Sequence, residues 1–288
     1  MKRFVLGMVF GVLALTTGSS AKNLELEVFT SDAAGFHATS TLIKGEKEAI
    51  LIDGQFTLSA AHRLTAQILE SGKELKAVYI THAHPDHYFG MEVIQRTFPN
   101  VKFYATPEIA AQAKILGPQK LAAWKPMYGN NLTSAPLTPE SFNSDSIVLE
   151  GQAIKIIKLK SAEIENAVVF HIPSLNAVIA GDAVYNGVHV WLAETDAARR
   201  KTWLENLATI RALNPKIVVA GHKTPNAKDS IASLKATGDY IKNFDAALAK
   251  TKNANELQQT MLLKYKSLAL PIILELAAKA ASGESVPH

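Results

Sequence analysis

The feature that most constrains this chain is the run Thr81-His82-Ala83-His84-Pro85-Asp86-His87, which places three imidazoles and a carboxylate within six positions. Imidazole nitrogen and carboxylate oxygen are the ligand types that suit Zn²⁺, or Fe and Mn in harder surroundings. In an extended segment that bends at Pro85, the two histidines before the proline point one way, and the aspartate and histidine after it face a neighbouring point. The run therefore predicts one loop serving two metal ions, and surface histidines in a polar turn are the alternative.

Short apolar runs alternate with helical stretches along the chain, which is typical of an α/β sandwich. A helix is predicted over 59–71, beginning at Ser59, a residue type suited to capping. Strands are predicted at 24–30, 40–44, 49–53, 77–81, 101–106, 152–159, 167–172, 177–181 and 216–220. Four of these strands end at or beside polar residues, so we expect those residues to meet at one edge of the fold.

Two segments depart from this alternation. The stretch 107–146 is interrupted by prolines, and we predict a helix-containing excursion over the mouth of the site, with a plain surface connection as the alternative. After His222 the pattern becomes helical, at about 227–250 and from 254 onward. Without repeats or low-complexity linkers, the sequence predicts one domain over 22–288 with helices at its C-terminal end.

The first residues have the layout of a signal peptide. Lys2 and Arg3 precede an apolar run over 4–15, followed by a small polar stretch over 16–21. Because the apolar run is too short to span a bilayer comfortably, we expect cleavage after Ala21 and no stable membrane insertion. The predicted location is the periplasm or the cell exterior.

Composition excludes several classes of function. The chain has no cysteine, so it has no thiolate nucleophile, no Cys-ligated metal and no disulfide. Its formal net charge of +4 falls to +2 without Lys2 and Arg3, and no basic stripe is present, so nucleic acid is not an expected partner. A small-molecule substrate is expected, and the oligomeric state stays open.

The run 82–87 resembles the first metal motif of the metallo-β-lactamase fold hydrolases, His-x-His-x-Asp-His, at every position. Asp53 is similar to the supporting aspartate that precedes the metal loop in this family. Asp182 is similar to its bridging aspartate, and His222 to its last histidine ligand. The resemblance covers most of the chain and implies an αβ/βα sandwich of two mixed β-sheets flanked by helices.

The chain departs from the family pattern at the third histidine, which relatives carry in a Gly-His-Thr-like turn. Here the turn reads Lys160-Ser161-Ala162-Glu163-Ile164-Glu165-Asn166-Ala167. Glu163 is the substitute that preserves the register, Glu165 is the fallback, and His171 is a poorer candidate inside the next strand. The alternative is a degraded first site, with Glu163 an exposed turn residue.

The resemblance implies a dinuclear hydrolase. The implied ligands are His82, His84 and Glu163 for the first ion, Asp86, His87 and His222 for the second, and Asp182 between them. The ions are expected to be Zn²⁺, although an anionic glutamate favours harder ions such as Fe or Mn. A metal-bound hydroxide would attack a small carbonyl substrate: a β-lactam, a lactone or a thioester.

Further site residues are predicted near these ligands. Asp86 is expected to orient the hydroxide as well as to bind metal, and Tyr185 and His189 to bind substrate or to donate a proton to the leaving group. Trp191 has the same expected role; the alternatives are core packing for Trp191 and, for His189, a hydrogen-bonded residue that supports the ligands. Two other functions stay open: an iron-dependent oxidoreductase resembling sulfur dioxygenases, and a non-catalytic metal or ligand binder.

Overall fold

A computed structural model describes residues 24–284 and residue 286, so the predicted signal peptide over 1–21 lies outside the described residues. Two β-sheets form the centre of the fold. The first sheet contains, in spatial order, β1 (Glu25–Thr30), β2 (Thr39–Lys44), β3 (Glu48–Ile52), β4 (Glu74–Tyr79), β5 (Lys102–Ala105) and β6 (Glu140–Ser141). The second contains β7 (Ser146–Leu149), β8 (Gln152–Lys158), β9 (Val168–Ile172), β10 (Ala177–Ile179) and β12 (Ile217–Val219), and β11 (Tyr185–Asn186) pairs separately with β13 (His222–Lys223).

Both large sheets are mixed, as the predicted fold class requires. In the first sheet β1, β2 and β3 are antiparallel and β3 to β6 are parallel; in the second, β10 and β12 are parallel and the other described pairs are antiparallel. Parallel neighbours need a crossover connection, which accounts for the alternation of strands and helices in the sequence. Tyr79 of β4 and Phe170 of β9 are buried with ring centroids 6.2 Å apart, so the two sheets share a core.

Helices flank the sheets, and the predicted α/β sandwich is confirmed. They are α1 (Leu58–Glu70), α2 (Met91–Thr97), α3 (Pro107–Tyr128), α4 (Ala197–Ala212), α5 (Ala232–Leu248), α6 (Ala254–Lys264) and α7 (Pro271–Ala281). The predicted cap of α1 is wrong: Thr57, and not Ser59, accepts a hydrogen bond from the backbone N–H of Ala60. Thr57 has the extended backbone conformation of an N-cap residue, so the cap lies two residues before the predicted one.

The excursion over 107–146 contains the 22-residue helix α3, which continues through Pro118 and Pro126. Its first turn is capped by Thr106, whose hydroxyl accepts from Ile109 N–H at 3.5 Å. Beyond the second sheet, α5, α6 and α7 confirm the predicted C-terminal helices. None of the helices within 24–284 has the length and apolar character needed to cross a bilayer.

Candidate metal centre

The predicted ligands lie in connections that follow strand ends. β4 ends at Tyr79 and leads into the run 82–87, β10 ends at Ile179 just before Asp182, and β12 ends at Val219 just before His222. The backbone here allows a close approach that only glycine permits, because a Cβ on Gly221 would lie 2.0 Å from Asp182 Oδ1. The sheets therefore deliver side chains from distant parts of the chain to one edge of the sandwich.

These side chains form two groups, in each of which the candidate ligand atoms lie within 4.8 Å of one another. The first group is His82, His84, Glu163 and Asp182, and the second group is Asp86, His87, Asp182 and His222. Asp182 belongs to both. Its Oδ1 lies 3.0 Å from His87 Nε2, and its Oδ2 lies 3.0 Å from His222 Nε2.

Several polar atoms at the centre of these groups lie close together without forming hydrogen bonds, as expected for atoms that bind a cation. His82 Nε2 and Glu163 Oε1 lie 3.2 Å apart, yet neither makes a directed hydrogen bond, and the same holds for His87 Nε2 and Asp182 Oδ1. Buried polar atoms in proteins almost always have hydrogen-bond partners. Convergent, unpartnered nitrogen and oxygen atoms of this kind match the donor set of Zn²⁺ or a similar divalent ion.

In the second group, hydrogen bonds to fixed acceptors orient both imidazoles. Asp53 Oδ2 accepts from His87 Nδ1 at 2.8 Å, and Asp53 is itself held by the backbone N–H and hydroxyl of Thr81. His222 Nδ1 donates to the backbone carbonyl of Phe36 at 2.7 Å. With Nδ1 carrying the proton in each ring, Nε2 is left as the metal-binding atom.

In the first group, side chains orient one another. His82 Nδ1 lies 2.9 Å from the hydroxyl of Thr81, whose own proton is directed to Asp53. His84 contacts Glu163 Oε1 through Nδ1, and its Nε2 lies 3.3 Å from Glu194 Oε1. The two rings are therefore oriented to present different nitrogens, Nε2 of His82 and Nδ1 of His84, to the same space.

The hydroxyl of Tyr185 lies between two candidate ligands, 2.6 Å from Glu163 Oε2 and 2.8 Å from Asp182 Oδ2. Burial and the two carboxylates raise the pKa of Tyr185 well above its ordinary value, so the hydroxyl stays protonated and donates. It has one proton and serves one carboxylate at a time. Its ring stacks on His222 with centroids 5.2 Å apart, so Tyr185 touches both groups.

Charge balance explains why the two groups need cations. Burial by itself would raise the pKa of Asp182, but the neighbouring His222 and His87 hold it well below its usual range. Burial opposes protonation of His84 as well, yet the carboxylates of Glu163 and Glu194 raise the pKa of His84 to about 10. Buried carboxylates here therefore demand positive charge, which protons on imidazole or metal ions can supply.

Three of the predicted or fallback residues lie apart from the two groups. Glu165 is exposed and lies 3.3 Å from Arg199, and His171 sits within β9. His189 is buried, with its Nδ1 2.9 Å from the hydroxyl of Tyr240 on α5, and no described ligand contacts it. Of the three candidates for the missing histidine, only Glu163 is brought to the site.

Sequence reasoning missed Glu194 and Lys120. Lys120 Nζ on α3 donates to Glu194 Oε1 at 2.8 Å, and the same oxygen faces His84. Both residues are isolated charges in segments without a motif, 33 or more positions from the run 82–87. Only the tertiary fold, which brings α3 and the segment before α4 together, reveals their place beside the site.

A cavity of about 430 Å³ opens over both groups. It is lined by Phe36, Phe56, His84, Pro85, Asp86, Lys120, Trp124, Asp182, Trp191, Glu194, His222 and Ile273. The excursion thus contributes Lys120 and Trp124 from α3, and the C-terminal helices contribute Ile273 from α7. The arrangement places candidate metal ligands at the bottom of a cleft with a largely apolar wall.

Comparison with known families assigns this architecture. Residues 33–222 match the model of the metallo-β-lactamase superfamily, so the chain belongs to that superfamily. The matched segment contains all the residues of both groups. A search of curated proteins finds no match.

Solved structures show the same fold at low sequence identity. The chain is similar to a metallo-β-lactamase family protein from Thermus thermophilus, with 18% identity, a TM-score of 0.64, and coverage of 90% of this chain and 91% of that one. A β-lactamase domain protein from Burkholderia ambifaria gives 14% identity and a TM-score of 0.62, covering 92% and 85%. A metallo-β-lactamase from Pontibacter korlensis gives 20% identity and a TM-score of 0.57, covering 79% and 98%.

Proposed function

We propose that this protein is an exported dinuclear metallohydrolase that cleaves a small carbonyl substrate. The observation that carries the proposal is the pair of candidate ligand groups that share Asp182 and leave buried atoms unpartnered. Membership of a superfamily composed mostly of metal-dependent hydrolases supports it. The substrate classes we propose are β-lactams, lactones and thioesters.

The proposed ligand roles follow the two groups. His82, His84 and Glu163 would hold the first ion, Asp86, His87 and His222 would hold the second, and Asp182, which belongs to both groups, would be a ligand common to both ions. Zn²⁺ is the proposed metal, and Fe or Mn would suit the anionic Glu163. Two observations support this role for Glu163: its side chain is only 1% exposed, and one carboxylate oxygen faces the histidines while the other accepts from Tyr185.

The chemistry divides between the ions and the chain. Bound metal ions lower the pKa of water towards neutrality and polarise a carbonyl oxygen. Asp86, with Oδ2 3.1 Å from His222 Nε2, is placed to accept a hydrogen bond from the attacking water and fix its direction. Tyr185 donates its one proton to Glu163 or to Asp182 and so helps to fix the positions of these carboxylates.

Metal analysis of the full-length protein tests the proposal. We expect two equivalents of divalent metal and hydrolysis of at least one member of a panel of β-lactams, lactones and thioesters. Glu163→Ala should lower the metal content to about one equivalent and abolish turnover. Glu165→Ala is the matched control, since its exposed carboxylate contacts only Arg199, and it should keep both equivalents.

Other outcomes would contradict the proposal in different ways. Unchanged metal content and turnover in Glu163→Ala would remove Glu163 from the ligands. A single iron without hydrolysis would favour the oxidoreductase, and metal without any turnover would favour a binding protein. Export is tested separately by N-terminal sequencing of the periplasmic or secreted protein, with cleavage after Ala21 as the expected result.

A further inference from the structure

The walls of the cavity are apolar and rigidly packed. Phe36 and Trp124 meet edge to face with ring centroids 5.5 Å apart, and Phe56 and Trp124 do so at 6.0 Å. Trp191 and Ile273 complete the apolar lining. Because these side chains come from separate elements and pack on one another, they offer a preformed surface to an apolar group on a substrate.

Among the residues that the structure describes, one ammonium group lines this cavity, and it is already paired. Lys120 Nζ lies 2.8 Å from Glu194 Oε1, and the two side chains are 6% and 17% exposed. A buried ammonium that is fully engaged by a carboxylate contributes no net charge to a ligand. The other lining residues that ionise are Asp86, Asp182, His84 and His222, all members of the two groups.

Basic side chains just outside the cavity are engaged as well. Lys223, next to His222, donates to both carboxylate oxygens of Asp229 at 2.7 and 2.6 Å. Arg199 donates to the backbone carbonyl of Glu194 and lies 3.3 Å from Glu165. Lys120, Lys223 and Arg199 are thus each paired with a carboxylate, which leaves the proposed metal ions as the cations that a substrate carboxylate would meet.

We propose that the cavity selects uncharged substrates that carry an apolar substituent, and that Glu194 is the residue that sets this selection by neutralising Lys120. The inference rests on the proposed hydrolase function and narrows its substrate class. It favours neutral lactones and esters with an apolar group over compounds whose ring carries a carboxylate, such as the common β-lactam acids. The charge of the proposed metal ions is largely balanced by Asp86, Asp182 and Glu163, so without a free ammonium a substrate carboxylate gains little to offset its desolvation.

A matched pair of substrates isolates the charge. A penicillin and its methyl ester share the scissile amide and differ only in whether the neighbouring carboxylate is ionised. For the wild-type, metal-loaded protein we expect kcat/KM to be at least about tenfold higher for the ester, which corresponds to about 1.4 kcal/mol. In Glu194→Gln the released Lys120 should reduce or reverse that ratio, mainly through a lower KM for the acid.

The double variant Glu194→Gln with Lys120→Met is the control. It makes the same change beside His84, so any effect on the metal ligands is common to both variants. It also removes the released ammonium, and the preference for the ester should return. A wild-type preference for the acid, or a ratio that is the same in all three proteins, would overturn the proposal.

Ligand binding separates failure of this inference from failure of the hydrolase proposal. Octan-1-ol and octanoate share an apolar chain and need no turnover, and Trp124 and Trp191 supply a fluorescence signal from the cavity wall. We expect Glu194→Gln to bind octanoate about tenfold more tightly than wild type, with octan-1-ol unchanged and the gain lost in the double variant. Absence of hydrolysis with this pattern would reject the hydrolase alone, and an unchanged affinity for octanoate would reject the selection by Glu194.

Discussion

The two ligand groups share Asp182 and a rim of aromatic side chains, but they are held in different ways. In the second group both imidazoles donate to fixed acceptors: His87 to Asp53, and His222 to the backbone carbonyl of Phe36. In the first group His84 is oriented by Glu163 and Glu194, two side-chain carboxylates that are held only by other side chains, Tyr185 and Lys120. Acceptors fixed by the backbone lose less freedom when a metal binds, so the second group is the more preorganised of the two.

The difference also concerns the connections that carry the ligands. Asp182 and His222 follow strands of the second sheet within a few residues, whereas Glu163 lies in the irregular turn between β8 and β9. The first group is therefore the adaptable half of the centre. The first group is also the one that contacts Glu194, the residue proposed to determine the charge of the preferred substrate.

The largest effect is expected from a substitution of Asp182, the residue that the two groups share. Asp182→Asn replaces a carboxylate that faces His87 and His222 with a neutral amide that directs an N–H into the centre. We expect loss of both metal equivalents and a fall in kcat/KM of about a thousandfold or more, equivalent to several kcal/mol. Elemental analysis and steady-state kinetics measure this, and retention of one tightly held equivalent would show that one group is complete without Asp182.

Asp53→Asn should weaken the second group more than the first, because Asp53 contacts His87 directly and His82 only through Thr81. Asp53 accepts from His87 Nδ1 and from Thr81, and an amide cannot accept at both positions. Loss of such a supporting partner lowers metal affinity by about 10- to 100-fold. Titration against a competing chelator should show one of the two affinities falling further than the other; an equal fall in both would mean that Asp53 supports the two groups alike.

Tyr185→Phe should weaken the first group by less, about tenfold, since the hydroxyl orients Glu163 without being a ligand. Tyr265→Phe is the control, because it removes a hydroxyl bonded to Asn243, and neither residue belongs to the two groups. Both variants lose a hydrogen bond worth about 1 kcal/mol of stability. Only Tyr185→Phe should alter metal affinity in the chelator titration, and equal effects from both would reduce Tyr185 to a structural role.

The smallest expected effect concerns His189, which lies outside both groups, and is a change in stability with pH. Burial lowers the pKa of His189 to about 4, whereas the unfolded chain titrates near 6.5. The unfolded state therefore binds the proton more readily, and this contribution to stability is complete above about pH 6.5 and is lost as the pH falls towards 4. The expected slope is up to about 1.4 kcal/mol per pH unit in that window.

Denaturant unfolding of wild type and His189→Gln at pH 7 and pH 5 measures this contribution. The variant cannot titrate at position 189, so wild type should lose more stability between the two pH values. His189→Gln should also keep both metal equivalents. A loss of metal or of turnover beyond the change in stability would return His189 to the catalytic role predicted from the sequence.

The sequence predicts the parts of this centre that depend on local pattern. The run 82–87 is visible from its ligand spacing, which is a local signal, whereas Asp182, His222 and Glu163 are implied by the resemblance to the metallo-β-lactamase family. The fold class follows from the alternation of short apolar runs with helical stretches and is confirmed. Pro118 and Pro126 would ordinarily indicate the end of a helix, but α3 continues through both of them.

The rest depends on contacts between distant parts of the chain. Glu194 meets Lys120 across 74 positions, and His222 donates to Phe36 across 186, so no window of sequence contains either pair. His189 shows the converse: its place near Asp182 in the sequence suggested a catalytic role, but its ring turns to Tyr240 on α5. A position shortly after a strand end predicts which loop a residue belongs to. It does not predict the direction of the side chain, which depends on the tertiary packing.

The spread of the ligands along the chain also bears on how the protein is made. Neither group is complete without Asp182, and the second also requires His222, 135 residues after His87. A growing chain in which these positions have not yet been synthesised has no complete site, and contacts of such long sequence separation form late and slowly. Tight metal capture therefore follows folding of most of the chain, and metal content reports how much of a preparation has matured.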